Sequence, residues 1–241
     1  MKDFKKSAAV ENAAALDESE LALINRQTLR ALTADEVFAF KMVACDNQVD
    51  RDNECFSDDA LEQMAELFVG KPVLMDHRWS ATTQTARIYA AAVENREGGY
   101  KALVIRCYLP RTEGTTEVIT AIESGVLREC SVGLSVGSAV CSICGVDQMD
   151  ELCGHRAGRV YDEGKCHFIL GDVQDCYEVS LVAVPAQPEA GVTKSKRYGG
   201  EESPEHMEPA EPGGAPCANS LRLRLRAAEA RAKAAGSGQK M

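Results

Sequence analysis

Apolar residues that alternate with polar ones, or form short runs between turn signals, fill most of the chain from residue 36 to residue 185. Six such stretches are rich in β-branched and aromatic residues and predict strands: 36–45, 71–77, 85–95, 100–109, 127–140 and 176–185. The third and fourth are joined by the turn sequence REGG and predict a hairpin. The pattern therefore indicates a mainly β domain.

Two segments follow the helical period instead. Residues 57–70 (SDDALEQMAELFVG) begin with Ser57 as a candidate N-cap, continue with acidic residues in the first turn and end at Gly70. Residues 115–125 place Ile119 and Ile122 on one face and stop at a glycine. With these helices the expected fold class is α+β, mainly β.

The chain divides into an arm, one domain and a tail. Residues 1–33 are polar and alanine-rich and predict an arm that is either helical or disordered. Residues 34–193 form the predicted domain, since after Val192 the composition shifts to GGEESPEHMEPAEPGGAP, which cannot bury enough apolar surface to order itself. Residues 194–241 are then a disordered linker and a basic tail, either solvated or ordered by docking on a partner.

Composition narrows the function classes. The formal net charge of −10 argues against a nucleic-acid partner, because such binding depends on lysine and arginine neutralising phosphates. No apolar run approaches the roughly 20 residues that span a bilayer, and the N-terminus lacks the apolar centre of a signal peptide. We therefore expect a cytoplasmic protein without a membrane partner, whose cysteines bind metal or stay reduced.

A Cys/His/Gly-rich insert occupies residues 141–167, between the last two predicted strands. It holds Cys141 and Cys144, separated by two residues and followed by glycine, and then Cys153 and His155. Three sulfurs and one imidazole are a ligand set that zinc prefers in tetrahedral sites. The spacing predicts a structural Zn²⁺ site that folds an insert too small for a core of its own.

The fourth zinc ligand stays open at this level, because Cys166 and His167 are alternatives to His155. A closed site with four protein ligands leaves no position for a reactive water, so a structural role is favoured over a catalytic one. A zinc hydrolase would need an open position on the metal.

Three further segments share an order and a setting: VLMDH at 73–77, RECSVGL at 128–134 and YEVSLVAVPAQPEA at 177–190. In sequence and spacing they resemble the signature segments of the phage prohead (capsid maturation) proteases, relatives of the herpesvirus protease assemblin. The resemblance covers roughly residues 36–193 and extends to DNQVDRDNECF and to the predicted hairpin. It implies an assemblin-like β-barrel with a few helices, here carrying the zinc-binding insert.

The resemblance assigns three site residues, and their chemistry is that of a serine protease. Ser131 is the predicted nucleophile, His77 the general base, and Glu178 the group that orients the imidazole. Assemblin has a second histidine where this chain has Glu178, and Asp175 and Asp76 are alternatives for the third position. No cofactor is expected in the chemical step.

Two neighbours of Ser131 are weaker candidates. Ser135 lies on the same strand face and is expected to be a buried hydroxyl that backbone groups satisfy. Cys130 points to the opposite face and is expected to be a core cysteine. Assemblin uses paired arginines for its oxyanion hole, but this chain has AVPAQPEA there, so backbone amides near Gly133 or the Arg87 side chain are the candidates.

The resemblance further implies a serine endopeptidase that processes phage scaffolding and head proteins inside an assembling procapsid, in the cytoplasm of the bacterial host. Scaffolding protein, major capsid protein and portal are the implied substrates or assembly partners, and the chain's own terminal segments are implied cleavage targets. Because assemblin works as a dimer, a homodimer is implied too. The alternative is a non-enzymatic, zinc-containing head-assembly or scaffold-like protein.

Overall fold

A curled, half-barrel β-sheet forms the body of the protein in the computed structural model, which describes residues 16–184 and 190–192. The mainly β fold class is thereby confirmed. Within the described residues the helices are α1 (Glu18–Asn25), α2 (Asp58–Leu67) and α3 (Thr116–Glu123), with short 3₁₀ turns at Ala34–Glu36, Ala81–Thr83 and Glu113–Thr115. The strands are β1 (Val37–Asp46), β2 (Glu54–Phe56), β3 (Pro72–Met75), β4 (Ala86–Asn95), β5 (Lys101–Pro110), β6 (Cys130–Cys141), β7 (Val160–Tyr161), β8 (Gly164–Lys165), β9 (Phe168–Leu181) and β10 (Gly191–Val192).

Strand β9 organises the sheet because it is paired on both edges. The strand order is β10-β1-β5-β4-β3-β9-β2, and β6 pairs antiparallel with β9 along the other edge of β9. Strands β3 and β2 pair parallel with the C-terminal and N-terminal parts of β9. The sheet curls because Gly191 pairs with Val43 of β1 and also bridges Glu129, the residue before β6.

Helix α2 covers the sheet as its sequence predicts. The Ser57 side chain accepts a hydrogen bond from the N–H of Ala60, as an N-cap does. The apolar face of the helix is buried against β4, β5 and β9, with Leu61, Met64 and Phe68 fully inaccessible to solvent. Helix α3 likewise buries Ile119 and Ile122.

Two of the differences between predicted and observed strand boundaries have a direct physical reason. Strand β9 begins at Phe168 rather than at 176, because its pairing with β6 contains two register shifts that break the alternation of apolar residues. Strand β3 ends at Met75 rather than at His77, because Asp76 and His77 both adopt left-handed backbone conformations with φ of 54° and 53°.

The described part of the N-terminal arm is a docked helix. Asp17 caps α1, and Ile24 is buried with Val37, Tyr89 and Tyr108. Glu20 accepts hydrogen bonds from the Tyr89 hydroxyl at 3.0 Å and from Arg106 at 2.9 Å. The predictions for residues 1–15, for the linker and for the basic tail lie outside the described residues. None of the described helices has the length and apolar character needed to cross a bilayer.

Candidate active site and metal centre

The chain leaves β3 through a turn that carries His77 away from the strand. Left-handed φ values are uncommon for residues other than glycine, although aspartate and histidine adopt them more often than most. Here two such residues follow each other. The Asp76 N–H donates to the Leu181 carbonyl at 3.0 Å, and the His77 N–H donates to Ser180 Oγ at 3.0 Å. Both bonds anchor the turn to β9.

A buried carboxylate holds the His77 ring. His77 Nδ1 lies 2.7 Å from Glu178 Oε1, and the other carboxylate oxygen, Oε2, accepts a hydrogen bond from the Ser180 hydroxyl at 2.5 Å. Glu178 is 2% exposed and Ser180 is fully buried, whereas 42% of the His77 side chain remains exposed. Because Nδ1 faces the carboxylate, Nε2 is the ring nitrogen left to exchange a proton with a neighbouring group.

The sheet register places Ser131 on the same face as Glu178. Ser131 of β6 is directly opposite Ser180 of β9, and opposite residues of antiparallel strands project to one face. Glu178 is two residues from Ser180 and therefore shares that face. No hydrogen bond joins the Ser131 hydroxyl to the His77 ring in the part of the chain that the structure describes. We call Ser131, Gly133, Glu178 and Ser180, together with the His77 ring, the triad face.

Gly133 makes room for the carboxylate. It pairs with Glu178 across the two strands, and the Glu178 side chain leans over it. A Cβ atom at position 133 would overlap Glu178 Oε1. The glycine of the Ser-Val-Gly sequence is thus explained by close approach of a side chain rather than by a turn.

The carboxylate also changes the acidity of the imidazole. The hydrogen bond from His77 to Glu178 raises the pKa of the imidazole above its ordinary value of 6.5, against a smaller opposing effect of burial. The nearby charge of Asp76 acts in the same direction. The arrangement therefore favours a histidine that accepts a proton readily.

The two alternative residues for the third position form no hydrogen bond to the imidazole ring in the described structure. Asp175 forms an ion pair with Lys71 at 3.1 Å. Asp76 lies in the turn next to His77, and its backbone bonds to Leu181. Among the three carboxylates that the sequence leaves open, Glu178 is the one that bonds to the ring.

The predictions for Cys130 and Ser135, the two neighbours of Ser131, compare differently with the structure. Cys130 is a core residue as expected: it is fully buried, its thiol donates to the Val43 carbonyl at 3.2 Å, and burial raises its pKa to about 12. The Ser135 hydroxyl is buried as expected, but the expectation of a backbone partner is wrong, because the hydroxyl has no hydrogen-bond partner among the described residues.

The two candidates for an oxyanion hole lie on different strands of the sheet, with β3 and β9 between them. The Arg87 guanidinium donates to the Gly70 carbonyl at 2.7 Å, and Arg87 belongs to β4, on the far side of β3 from β6. Gly133 lies in β6, within the triad face. Residues 185–189, which hold most of the segment after β9, are outside the described residues.

The predicted zinc ligands converge in the insert. One ligand atom from each of Cys141, Cys144, Cys153 and His155 lies within 4.8 Å of the other three, so the cluster could bind a metal ion. Cys141 ends β6, and the other three lie in the loop before β7. The cysteines of the described part of the chain form no disulfides.

The surroundings of these atoms fit a metal centre. Although burial opposes it, hydrogen bonds from the backbone amides of Cys144 and Ile143 lower the pKa of the Cys141 thiol, and that of Val146 acts in the same direction on Cys144. Such bonds stabilise thiolates, the form of cysteine that binds metals. His155 packs edge-on against Tyr161, and its Nδ1 is buried without a hydrogen-bond partner in the described structure.

A fourth sulfur lies beside this cluster. The Cys166 sulfur is fully buried and 3.9 Å from the Cys141 sulfur, close to the roughly 3.8 Å that separates two thiolates on one tetrahedral zinc ion with 2.3 Å bonds. His167 is directed elsewhere, with its Nδ1 3.4 Å from the Lys165 carbonyl. The insert thus presents His155 and Cys166 as the two candidates for the fourth position.

Comparisons with protein-family models, with curated proteins and with solved structures gave no match for this chain. A function for this chain therefore rests on the geometry of the two sites and on the resemblance of its three signature segments.

Sequence reasoning missed Ser180. It bonds to both the His77 backbone and the Glu178 carboxylate. The amino-acid sequence does place Ser180 two residues after Glu178, and this spacing puts both side chains on one face of a strand. The sequence could not show that the β3 turn would bring the His77 N–H to that hydroxyl.

Proposed function

We propose that this protein is a serine endopeptidase of the prohead-protease type, with Ser131 as nucleophile, His77 as general base and Glu178 as the orienting carboxylate. The proposal depends above all on the 2.7 Å bond between His77 Nδ1 and the buried Glu178, on the face that also holds Ser131. A serine hydroxyl needs such a base to become nucleophilic at neutral pH.

The residues have complementary tasks in acyl transfer. Ser131 Oγ attacks the scissile carbonyl while His77 Nε2 takes the hydroxyl proton, and the same nitrogen returns the proton to the leaving amine. Glu178 fixes the Nδ1–H tautomer and stabilises the imidazolium while it exists. Hydrogen bonds of this kind commonly tighten only when substrate binds, so the missing Ser131–His77 bond does not argue against these roles.

The proposed substrates are the scaffolding protein, major capsid protein and portal of a phage procapsid that assembles in the host cytoplasm, together with the enzyme's own terminal segments. A homodimer and an assemblin-like barrel belong to the same proposal. They rest on the resemblance of the three signature segments, and the curled sheet supports the barrel in outline.

The cysteine cluster is proposed to hold a structural Zn²⁺ through Cys141, Cys144, Cys153 and His155, with Cys166 as the alternative to His155. Bound zinc would link the end of β6 to the loop that leads into β9. The Ser131–His77–Glu178 chemistry needs no metal. The alternative is that this chain is a non-enzymatic head-assembly protein. Such a protein would also contain the metal cluster.

A fluorophosphonate probe, which phosphonylates activated serines, tests the proposal. We expect the purified protein to be labelled at Ser131, as located by mass spectrometry of peptides, and labelling to be lost in Ser131→Ala and His77→Ala. Ser135→Ala is the matched control and should label like wild type. Absence of labelling in folded wild-type protein would favour the non-enzymatic alternative.

Coexpression with scaffolding and capsid proteins tests the substrate class. Fragments that appear with wild type and not with Ser131→Ala would support capsid processing. Identical patterns of intact proteins in both would contradict it.

A further inference from the structure

A cavity of about 410 Å³ lies next to the His77–Glu178 pair, on the side of β9 that faces β3. It is bounded by β3, by the loop between β3 and β4 and by the Tyr177–Glu178 part of β9. Its apolar wall is formed by Pro72, Leu74, Trp79, Ala81 and Tyr177. The cavity is more open than enclosed, and its volume is in the range of protein sites that bind small ligands or single large side chains.

The charged residues at this cavity are already paired. Lys71 forms its ion pair with Asp175 at 3.1 Å, and the Glu178 carboxylate is satisfied by His77 and Ser180. A charged ligand would have to compete with these pairs for its partner. The chemistry of the wall therefore favours an uncharged, apolar occupant.

Trp79 is the feature that most needs an explanation. Trp79 is 71% exposed, and tryptophan is enriched among the residues that carry most of the energy at binding sites. Its ring lies 5.3 Å from that of Tyr177, at an angle of 55°, so the two aromatic side chains form one edge of the cavity. Trp79 comes two residues after His77, in the loop that the two left-handed residues start.

We propose that this cavity is a substrate subsite that receives a large apolar side chain of the polypeptide being cleaved. The inference rests on the proposed function for the identity of the ligand as a polypeptide. Because the cavity adjoins Glu178 and an extended peptide advances about 3.4 Å per residue, the recognised side chain lies within a few residues of the scissile bond.

Cleavage profiling with a peptide library tests the selectivity. Wild type should enrich leucine, methionine or phenylalanine at one position near the cleaved bond. Ala81→Leu, which fills the cavity, should shift that position towards alanine or valine, and Trp79→Ala should raise KM for the preferred peptides about tenfold with a smaller change in kcat. Leu29→Ala, an exposed leucine outside the cavity wall, is the matched control and should keep the wild-type profile.

A second measurement does not depend on cleavage. Trp79 is the single tryptophan of the chain, so fluorescence excited at a wavelength that tyrosine does not absorb reports on the surroundings of this one side chain. We expect N-acetyl-leucinamide to produce a saturable shift of the emission, N-acetyl-aspartamide to produce none, and Ala81→Leu to abolish the response to leucinamide.

The two measurements separate this inference from the proposed function. Cleavage without apolar selection, or selection that neither cavity variant changes, would overturn the subsite while leaving the protease intact. Equal fluorescence responses to leucinamide and aspartamide would likewise overturn the subsite and leave the protease intact. A leucinamide-specific shift in a protein that neither cleaves peptides nor labels with the fluorophosphonate would support the apolar site and overturn the protease.

Discussion

Strand β9 supplies both hydrogen-bond partners of His77, whereas the sulfur atoms near Cys141 come from the end of one strand and from the loops of a small insert. Glu178 and Ser180 are 2% and 0% exposed, and the register of β6 with β9 fixes what lies opposite them. In the insert, the buried apolar cluster consists of Cys141, Cys166 and Phe168, with Ile143, Cys153 and Tyr161 packed against it. Strand pairing thus organises the triad face, while an ion bound in the insert would offset the entropy of ordering its loops.

The largest expected effect comes from removing the charge that orients the imidazole. Glu178→Gln should lower kcat/KM by about 10³- to 10⁴-fold, because the amide no longer stabilises the imidazolium or selects its tautomer. Peptide cleavage measures this loss, and metal content should stay at the wild-type value. Glu117→Gln, at an exposed glutamate of α3, is the matched control.

The same variant should also change the pH dependence. A general base works only when deprotonated, so wild-type kcat/KM should fall with acid through a midpoint above 6.5, and Glu178→Gln should move that midpoint to lower pH. Stability changes with pH in the opposite direction. The His77–Glu178 pair stabilises the fold below about pH 6.5, and this contribution is lost as pH rises through the raised pKa. A midpoint that does not move would contradict the assignment of Glu178.

A smaller effect is expected from Ser180→Ala. The alanine removes a hydroxyl that donates to Glu178 and accepts from the His77 backbone, so it should cost about 1–3 kcal/mol of unfolding free energy. Misplacement of the imidazole should reduce kcat/KM by up to about 100-fold. Chemical denaturation and peptide cleavage give the two values.

The backbone amide of His77 reports whether Ser180 acts by positioning. Its NMR shift should change in Ser180→Ala and not in Ser124→Ala, whose exposed hydroxyl bonds to the Ala121 carbonyl. Unchanged activity together with reduced stability would assign Ser180 a purely structural role.

The smallest effect on catalysis is expected from metal removal. Chelation, or Cys153→Ser, should release the bound ion and speed hydrogen exchange across the insert, because its small cluster cannot stay ordered alone. Since residues far apart contribute almost independently, kcat/KM for peptides should stay within about twofold of wild type. Loss of peptide cleavage on chelation, with the sheet still folded, would instead favour a catalytic metal.

The fourth metal ligand can be identified by comparing the metal content of His155→Ala and Cys166→Ala.

Elements with local signals could be predicted from the amino-acid sequence alone. Ser57 begins α2 because a hydroxyl before two aspartates suits a helix N-terminus, and the hairpin of β4 and β5 arises from alternation around a glycine turn. The spacing of Cys141 and Cys144, with Cys153 and His155 a few residues later, predicts a metal cluster, because short loops can keep such ligands close together.

Contacts between side chains across the sheet needed the folded chain. Glu178 bonds to His77 and Asp175 to Lys71 because β3 pairs with β9 in one register, and no local pattern specifies that register. Ser180 enters the triad face, and Gly133 leaves space for Glu178, for the same reason. Pairing between strands distant in sequence depends on the packing of the whole sheet, so contacts of this kind appear only once the chain is folded.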